Sequence, residues 1–165
     1  MEPQAAPTQP GAPEAAVSPV ARQVLAFGLG RERYGIDTAS VLEIRGFEVP
    51  DAAAGLPPVF YGVLRLRGQA VPVLDLRQAF GHPVRFDEST VLVVAQGLGQ
   101  PLGLVTDGRL LVLDNPLPDL PRMDGKAQAA YVRGLGPVDA QGRWLIRLDP
   151  DVLLRHFSDQ QALPV

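Results

Sequence analysis

Apolar and polar residues alternate with a period of two over short stretches of this chain, and the stretches recur. Runs near 23–29, 33–37, 41–45, 61–66 and 70–75, then 90–96, 101–106, 109–113, 131–136 and 143–148, carry the pattern and predict ten short β-strands. The densest signal is the segment GVLRLRGQAVPVLDL at 62–76. Two strand-period runs there flank an Arg67-Gly68-Gln69 connection, which predicts a tight hairpin with Gly68 at positive φ. Gly62 is read with Gly68 as a structural turn glycine. Alternation puts Val63, Arg65 and Arg67 on one face of the first strand of this hairpin, and Leu64 and Leu66 on the other. The same rule in the third run puts Val41 and Glu43 on an outward face and Leu42 and Ile44 inward, so that Val41 and Glu43 are expected to lie toward Arg65 or Arg67.

The pattern is duplicated. The run around Tyr34-Gly35-Ile36-Asp37 is echoed by Leu102-Gly103-Leu104 and Asp107, and Tyr61-Gly62-Val63 through Asp75 is echoed by Tyr131 and Gly134 through Asp149. Each copy holds about five strands, and an open sheet of that size leaves edges that a small barrel removes. The expected architecture is all-β: two five-stranded barrels packed as a duplicated pair, the first over about 22–84 and the second over about 85–157. Helices are minor. Asp75 and Asp149 are placed to cap short helices, with Pro150 at the first helical position, and the last helix is expected to reach Phe157. Its Val152, Leu153 and Phe157 should pack across the seam between the barrels, with 158–165 frayed. Residues 1–21, rich in Ala and Pro and without periodicity, read as a disordered tail.

Composition agrees with this picture. The 17 Gly and 17 Pro among 165 residues favour many turns, and a 46% hydrophobic content supplies a core. The net charge of −3 offers no global field for nucleic acid or anionic lipid. No cysteine is present, so disulfides and thiolate chemistry are excluded, and an intracellular setting is expected. No run approaches the ~20 apolar residues of a membrane helix. The expected location is the cytoplasm.

Catalytic chemistry finds little support. His82 and His156 are read as surface histidines rather than metal ligands, and no metal or cofactor is expected. Gly28-Leu29-Gly30, Gly97-Leu98-Gly99 and Gly134-Leu135-Gly136 precede no helix and are read as hairpin turns instead of dinucleotide loops. No serine sits in a nucleophile elbow. Two rival readings stay open: a small hydrolase using Asp75 and Asp107, and a barrel that binds single-stranded nucleic acid by stacking.

The residues Tyr34-Gly35-Ile36-Asp37, Val41 to Arg45, Gly62-Val63-Leu64-Arg65-Leu66-Arg67-Gly68, Val71 to Leu76, Gly103 to Asp107 and Tyr131 to Gly134 together resemble the CheW domain of bacterial chemotaxis coupling proteins. The likeness covers roughly 23–157. It implies two intertwined SH3-like barrels and a non-enzymatic adaptor that joins the tip of a chemoreceptor hairpin to a CheA-like histidine kinase. By the resemblance Arg67 is the receptor-contacting arginine, with Val41 and Glu43 on the neighbouring face and Arg65 beside them; no kinase-binding residue is assigned. Arg65 stands where the family usually has Asn, and the Asp107-Gly108-Arg109 segment, read as a turn, places charge where an apolar residue is common. An adaptor of a pilus-linked or other chemosensory array fits the same resemblance.

Overall fold

The structure is a computed structural model that describes residues 23–96, 99–114, 131–137 and 140–159. The predicted tail at 1–21, the Gly97-Leu98 pair and residues 160–165 lie outside the described residues. Among these residues nine strands form in chain order: β1 Gln23–Leu29, β2 Glu32–Asp37, β3 Val41–Gly46, β4 Phe60–Leu66, β5 Gln69–Asp75, β6 Val91–Gln96, β7 Pro101–Asp114, β8 Val132–Pro137 and β9 Trp144–Leu148. Two helices follow strand ends, α1 Leu76–Ala79 and α2 Pro150–Asp159. The last helix therefore continues through Ser158 and Asp159, beyond its expected end.

The seventh and eighth predicted strands are one continuous strand. β7 pairs with β6 from Pro101 to Thr106 and then with β1 from Asp107 to Asp114, so the expected turn at Asp107-Gly108-Arg109 is a passage from one sheet to the other. The register with β1 shifts between Ala26 and Gly28, and this irregularity absorbs the change of partner.

Pairing also corrects the expected boundary between the barrels. The first barrel is built from the second half of β7, then β1, β2, β9 and β8, with β2 and β9 parallel. The second is built from β3, β6, the first half of β7, β5 and β4, with β5 and β7 parallel. Each barrel draws strands from both halves of the sequence, so no cut near residue 84 separates them. The Gly134-Leu135-Gly136 run lies inside β8 and is not a turn.

The largest apolar cluster lies between the barrels. Leu25, Phe27 and Leu29 of β1 join Leu74, Leu102 and Leu104 of the second barrel and Leu76 of α1 there, and Leu153 and Phe157 of α2 enter the same cluster. Alternate residues of β1, Val24 and Ala26, point into a smaller core with Leu145. Burial on both faces explains why β1 reads as a nearly unbroken apolar run. Leu64, Val73, Leu92, Val94 and Val105 fill the second barrel. Of the three helical residues expected at the seam, Leu153 and Phe157 are buried, and Val152 is only half-buried. Asp149 caps α2 by accepting from the backbone N–H of Asp151 at 2.9 Å and of Val152 at 3.2 Å.

Candidate interaction surface

Leu66 pairs directly with Gln69, so the β4–β5 hairpin closes with two residues, Arg67 and Gly68, instead of three. Both have positive φ, 53° and 78° respectively, as a type I′ turn demands. Arg67 is the one non-glycine residue with positive φ among those described. An L side chain in that region costs about 1 kcal/mol that asparagine or glycine largely avoids. The guanidinium is thus presented at an exposed tip at some expense to the turn. Arg65 of β4, opposite Ala70 of β5, is exposed as well.

Gly62 has a different role from the one expected. It lies inside β4 where the register with β5 shifts between Phe60 and Gly62, with φ 146°. A Cβ there would collide with the Asp51 carbonyl oxygen. That close approach is what lets Asp51 and Val63 exchange two backbone hydrogen bonds, of 2.9 and 2.8 Å. The bridge ties the loop after β3 to β4, the strand at the far end of the second barrel's sheet.

The faces of β3 are reversed from expectation. Leu42 and Ile44 are 52% and 46% exposed, whereas Val41 and Glu43 are half-buried and Val41 packs against the main core. The Glu43 carboxylate lies 3.7 Å from Arg45, which bonds Glu48 at 2.6 Å; among the described residues no ion pair links Glu43 to Arg65 or Arg67. Among the described residues β3 pairs only with β6, and its other edge carries no described strand beside two exposed aliphatic side chains.

Sequence reading missed Arg77 entirely. Its guanidinium is fully buried and grips Asp75 through two bonds of 2.9 Å, from Nε to Oδ1 and from Nη2 to Oδ2. Nη1 donates to Asp107 Oδ1 at 2.8 Å and to the Arg85 carbonyl at 2.6 Å, and the Phe86 ring lies 4.7 Å away. The Asp75 carboxylate also caps α1, accepting from the Arg77 N–H at 2.9 Å. Burial alone would raise the Asp75 carboxyl, but the bonds from Arg77 and the Tyr61 hydroxyl outweigh it and hold the group below its usual range. Burial, then the neighbouring Asp75 carboxylate, pushes Tyr61 up to about 12. The signal available in the sequence was an Asp-x-Arg pair astride a helix cap, with Asp107 on a distant strand.

Asp75 and Asp107, the two acids of the hydrolase reading, do converge, but on one guanidinium that occupies both. Arg77 also anchors Phe86, which packs on Phe47 and Tyr61 at centroid distances of 4.8 and 5.8 Å. His82 is half-buried rather than a surface residue. It packs against Tyr34, with Nε2 3.5 Å from Glu32, while His156 packs on Tyr131 and Phe157, so the two imidazoles occupy separate environments. No cluster of three or more His, Asp or Glu suited to a metal occurs among the described residues.

Two interlocked barrels whose best-placed charges are absorbed internally, with arginine and aliphatic side chains left at an exposed hairpin and edge, have the build of a protein-binding module. The family model for the CheW-like domain matches residues 23–158, and the chain belongs to that family. A relative in Klebsiella aerogenes described as chemotaxis protein CheW is 36% identical over 148 residues, covering 87% of each chain. A probable chemotaxis protein CheW of Rhizobium etli is 30% identical over 132 residues, covering 78% of this chain and 85% of that one. The crystal structure of the scaffolding protein TtCheW from Thermoanaerobacter tengcongensis superposes with a TM-score of 0.64 at 24% identity, over 78% of this chain and 89% of that one, and shares the fold.

Proposed function

We propose that this chain is a non-enzymatic cytoplasmic scaffold that couples chemoreceptors to a CheA-like histidine kinase. The observation that carries the reading is Arg67, held at positive φ on a two-residue turn where a cheaper residue would close the hairpin. Arg67 and Arg65 meet the receptor's helical hairpin tip. The β3 edge, with Leu42 and Ile44 exposed beside the half-buried Val41 and Glu43, extends that face across the Asp51–Val63 bridge. Helix-in-groove docking supplies the physical mode. No helix among the described residues is long and apolar enough to cross a membrane.

The test is co-sedimentation of the purified chain with a receptor cytoplasmic fragment and a kinase regulatory fragment from the same genome. A ternary complex that needs all three components supports the proposal. Failure of the chain to bind either fragment contradicts it.

A further inference from the structure

A groove of about 850 Å³ opens on the first barrel, away from the strands that carry Arg67, between β1, β2, β7, β8 and β9. Arg31, Arg33, Arg109 and Arg143 stand among its lining residues. Its apolar side chains include Leu111, Leu135 and Trp144, which are 47%, 48% and 55% exposed. These three side chains supply apolar contact surface beside the arginines.

Positive charge exceeds negative among the described lining residues. Glu32 is the one carboxylate among the described lining residues, and it already accepts the Tyr34 hydroxyl at 2.8 Å and faces His82. Among the described residues no carboxylate pairs with Arg31, Arg33 or Arg109. A cationic rim of this kind, in a chain whose net charge is −3, is a local field of sign opposite to the whole.

We infer that this groove docks an acidic segment of a partner protein that presents leucine-like side chains to Leu111, Leu135 and Trp144 and carboxylates to the arginines. Arginine suits that role because its planar fork pairs carboxylates in bidentate fashion and its stem packs on apolar surface. Nucleic acid is the weaker fit: a single aromatic ring offers one stacking platform, and the overall negative charge repels polyphosphate. The site lies on the other barrel from the Arg67 hairpin, so its occupancy is a separate event from receptor docking.

Trp144 is the sole tryptophan and reports directly on the groove. The experiment titrates the intact protein with a synthetic amphipathic helix bearing leucine on one face and glutamate on the other, with its glutamine counterpart, and with oligothymidylate. The inference expects a blue shift of tryptophan emission with the glutamate peptide, weaker binding as salt rises, and loss of roughly tenfold or more in affinity at low salt for the doubly substituted Arg31→Glu, Arg109→Glu protein. Both substituted positions are exposed, and an unchanged thermal midpoint confirms folding. Equal affinity for the glutamine peptide, no response to the glutamate peptide, or preference for oligothymidylate each overturns it. Salt titration of the unsubstituted protein supplies an independent check, since salt-independent binding also contradicts the electrostatic rim.

Discussion

Replacing Arg77 with methionine keeps much of the side-chain length and removes the guanidinium, leaving the Asp75 carboxylate buried with no cation beside it. Four hydrogen bonds, to Asp75 twice, to Asp107 and to the Arg85 carbonyl, are lost together with the stack on Phe86. Breaking a buried pair by removing one partner costs about 3 to 5 kcal/mol. For a chain of this size that lowers the thermal midpoint by roughly 10 °C. Asp107→Asn is the milder control, because the Asp107 side chain is 34% exposed and keeps an acceptor for Nη1; its expected loss is about 1 kcal/mol. The pH dependence has a definite sign. In the native protein the Asp75 carboxyl is held below its ordinary 3.8, so its stabilisation is fully present above that value and is lost as pH falls through the native one. In Arg77→Met the cation is gone and burial raises the same carboxyl, so the penalty is greatest near neutrality and shrinks as pH falls toward 4. Denaturant unfolding at pH 7 and at pH 4.5 measures both quantities. An Arg77→Met protein within about 0.5 kcal/mol of wild type at pH 7, or a deficit that widens between those two pH values, refutes the assignment.

Gly62→Ala places a methyl group against the Asp51 carbonyl oxygen at a positive φ, and should destabilise the fold by about 3 kcal/mol or more in denaturant melts. Arg67→Gly relieves the positive-φ strain, so it should fold as stably as wild type or slightly more so by calorimetry, yet bind the receptor fragment more weakly. Truncation after Asp149 removes the buried Leu153 and Phe157 from the cluster shared by both barrels; the expected loss exceeds about 5 kcal/mol, and a fragment covering 23–84, which lacks β6 to β9, should show no cooperative transition by circular dichroism.

Strands were legible because alternation is a local property: β1, β4, β5 and β6 fall within a residue or two of their expected limits. Both helix caps were legible for the same reason, since Asp75 and Asp149 act within three residues of themselves. The barrel boundary was not. Duplication suggests sequential units, whereas the parallel β2–β9 and β5–β7 pairings join distant segments through burial that no local pattern records. Faces of β3 were also ambiguous, because Val41, Leu42 and Ile44 make both sides apolar and only the tertiary neighbours decide which side is covered. Arg77 escaped notice because a charged residue after a cap normally faces water, and its second acceptor, Asp107, lies on a strand thirty residues on. Alternation is enough to expose Arg67 and Arg65 on the hairpin, as observed; the turn's length and the cost of placing arginine there are visible only in the pairing and the backbone angles.

In the proposed function the exposed hairpin arginine transmits receptor state to a kinase without itself stabilising the fold. The most direct measurement is kinase autophosphorylation in a reconstituted mixture of receptor fragment, kinase and this chain, with wild type compared against Arg67→Glu. Wild type should make phosphorylation receptor-dependent, and Arg67→Glu should keep an unchanged thermal midpoint while phosphorylation falls to the level seen without receptor. Full receptor-dependent phosphorylation with Arg67→Glu, at equal protein concentration, contradicts it.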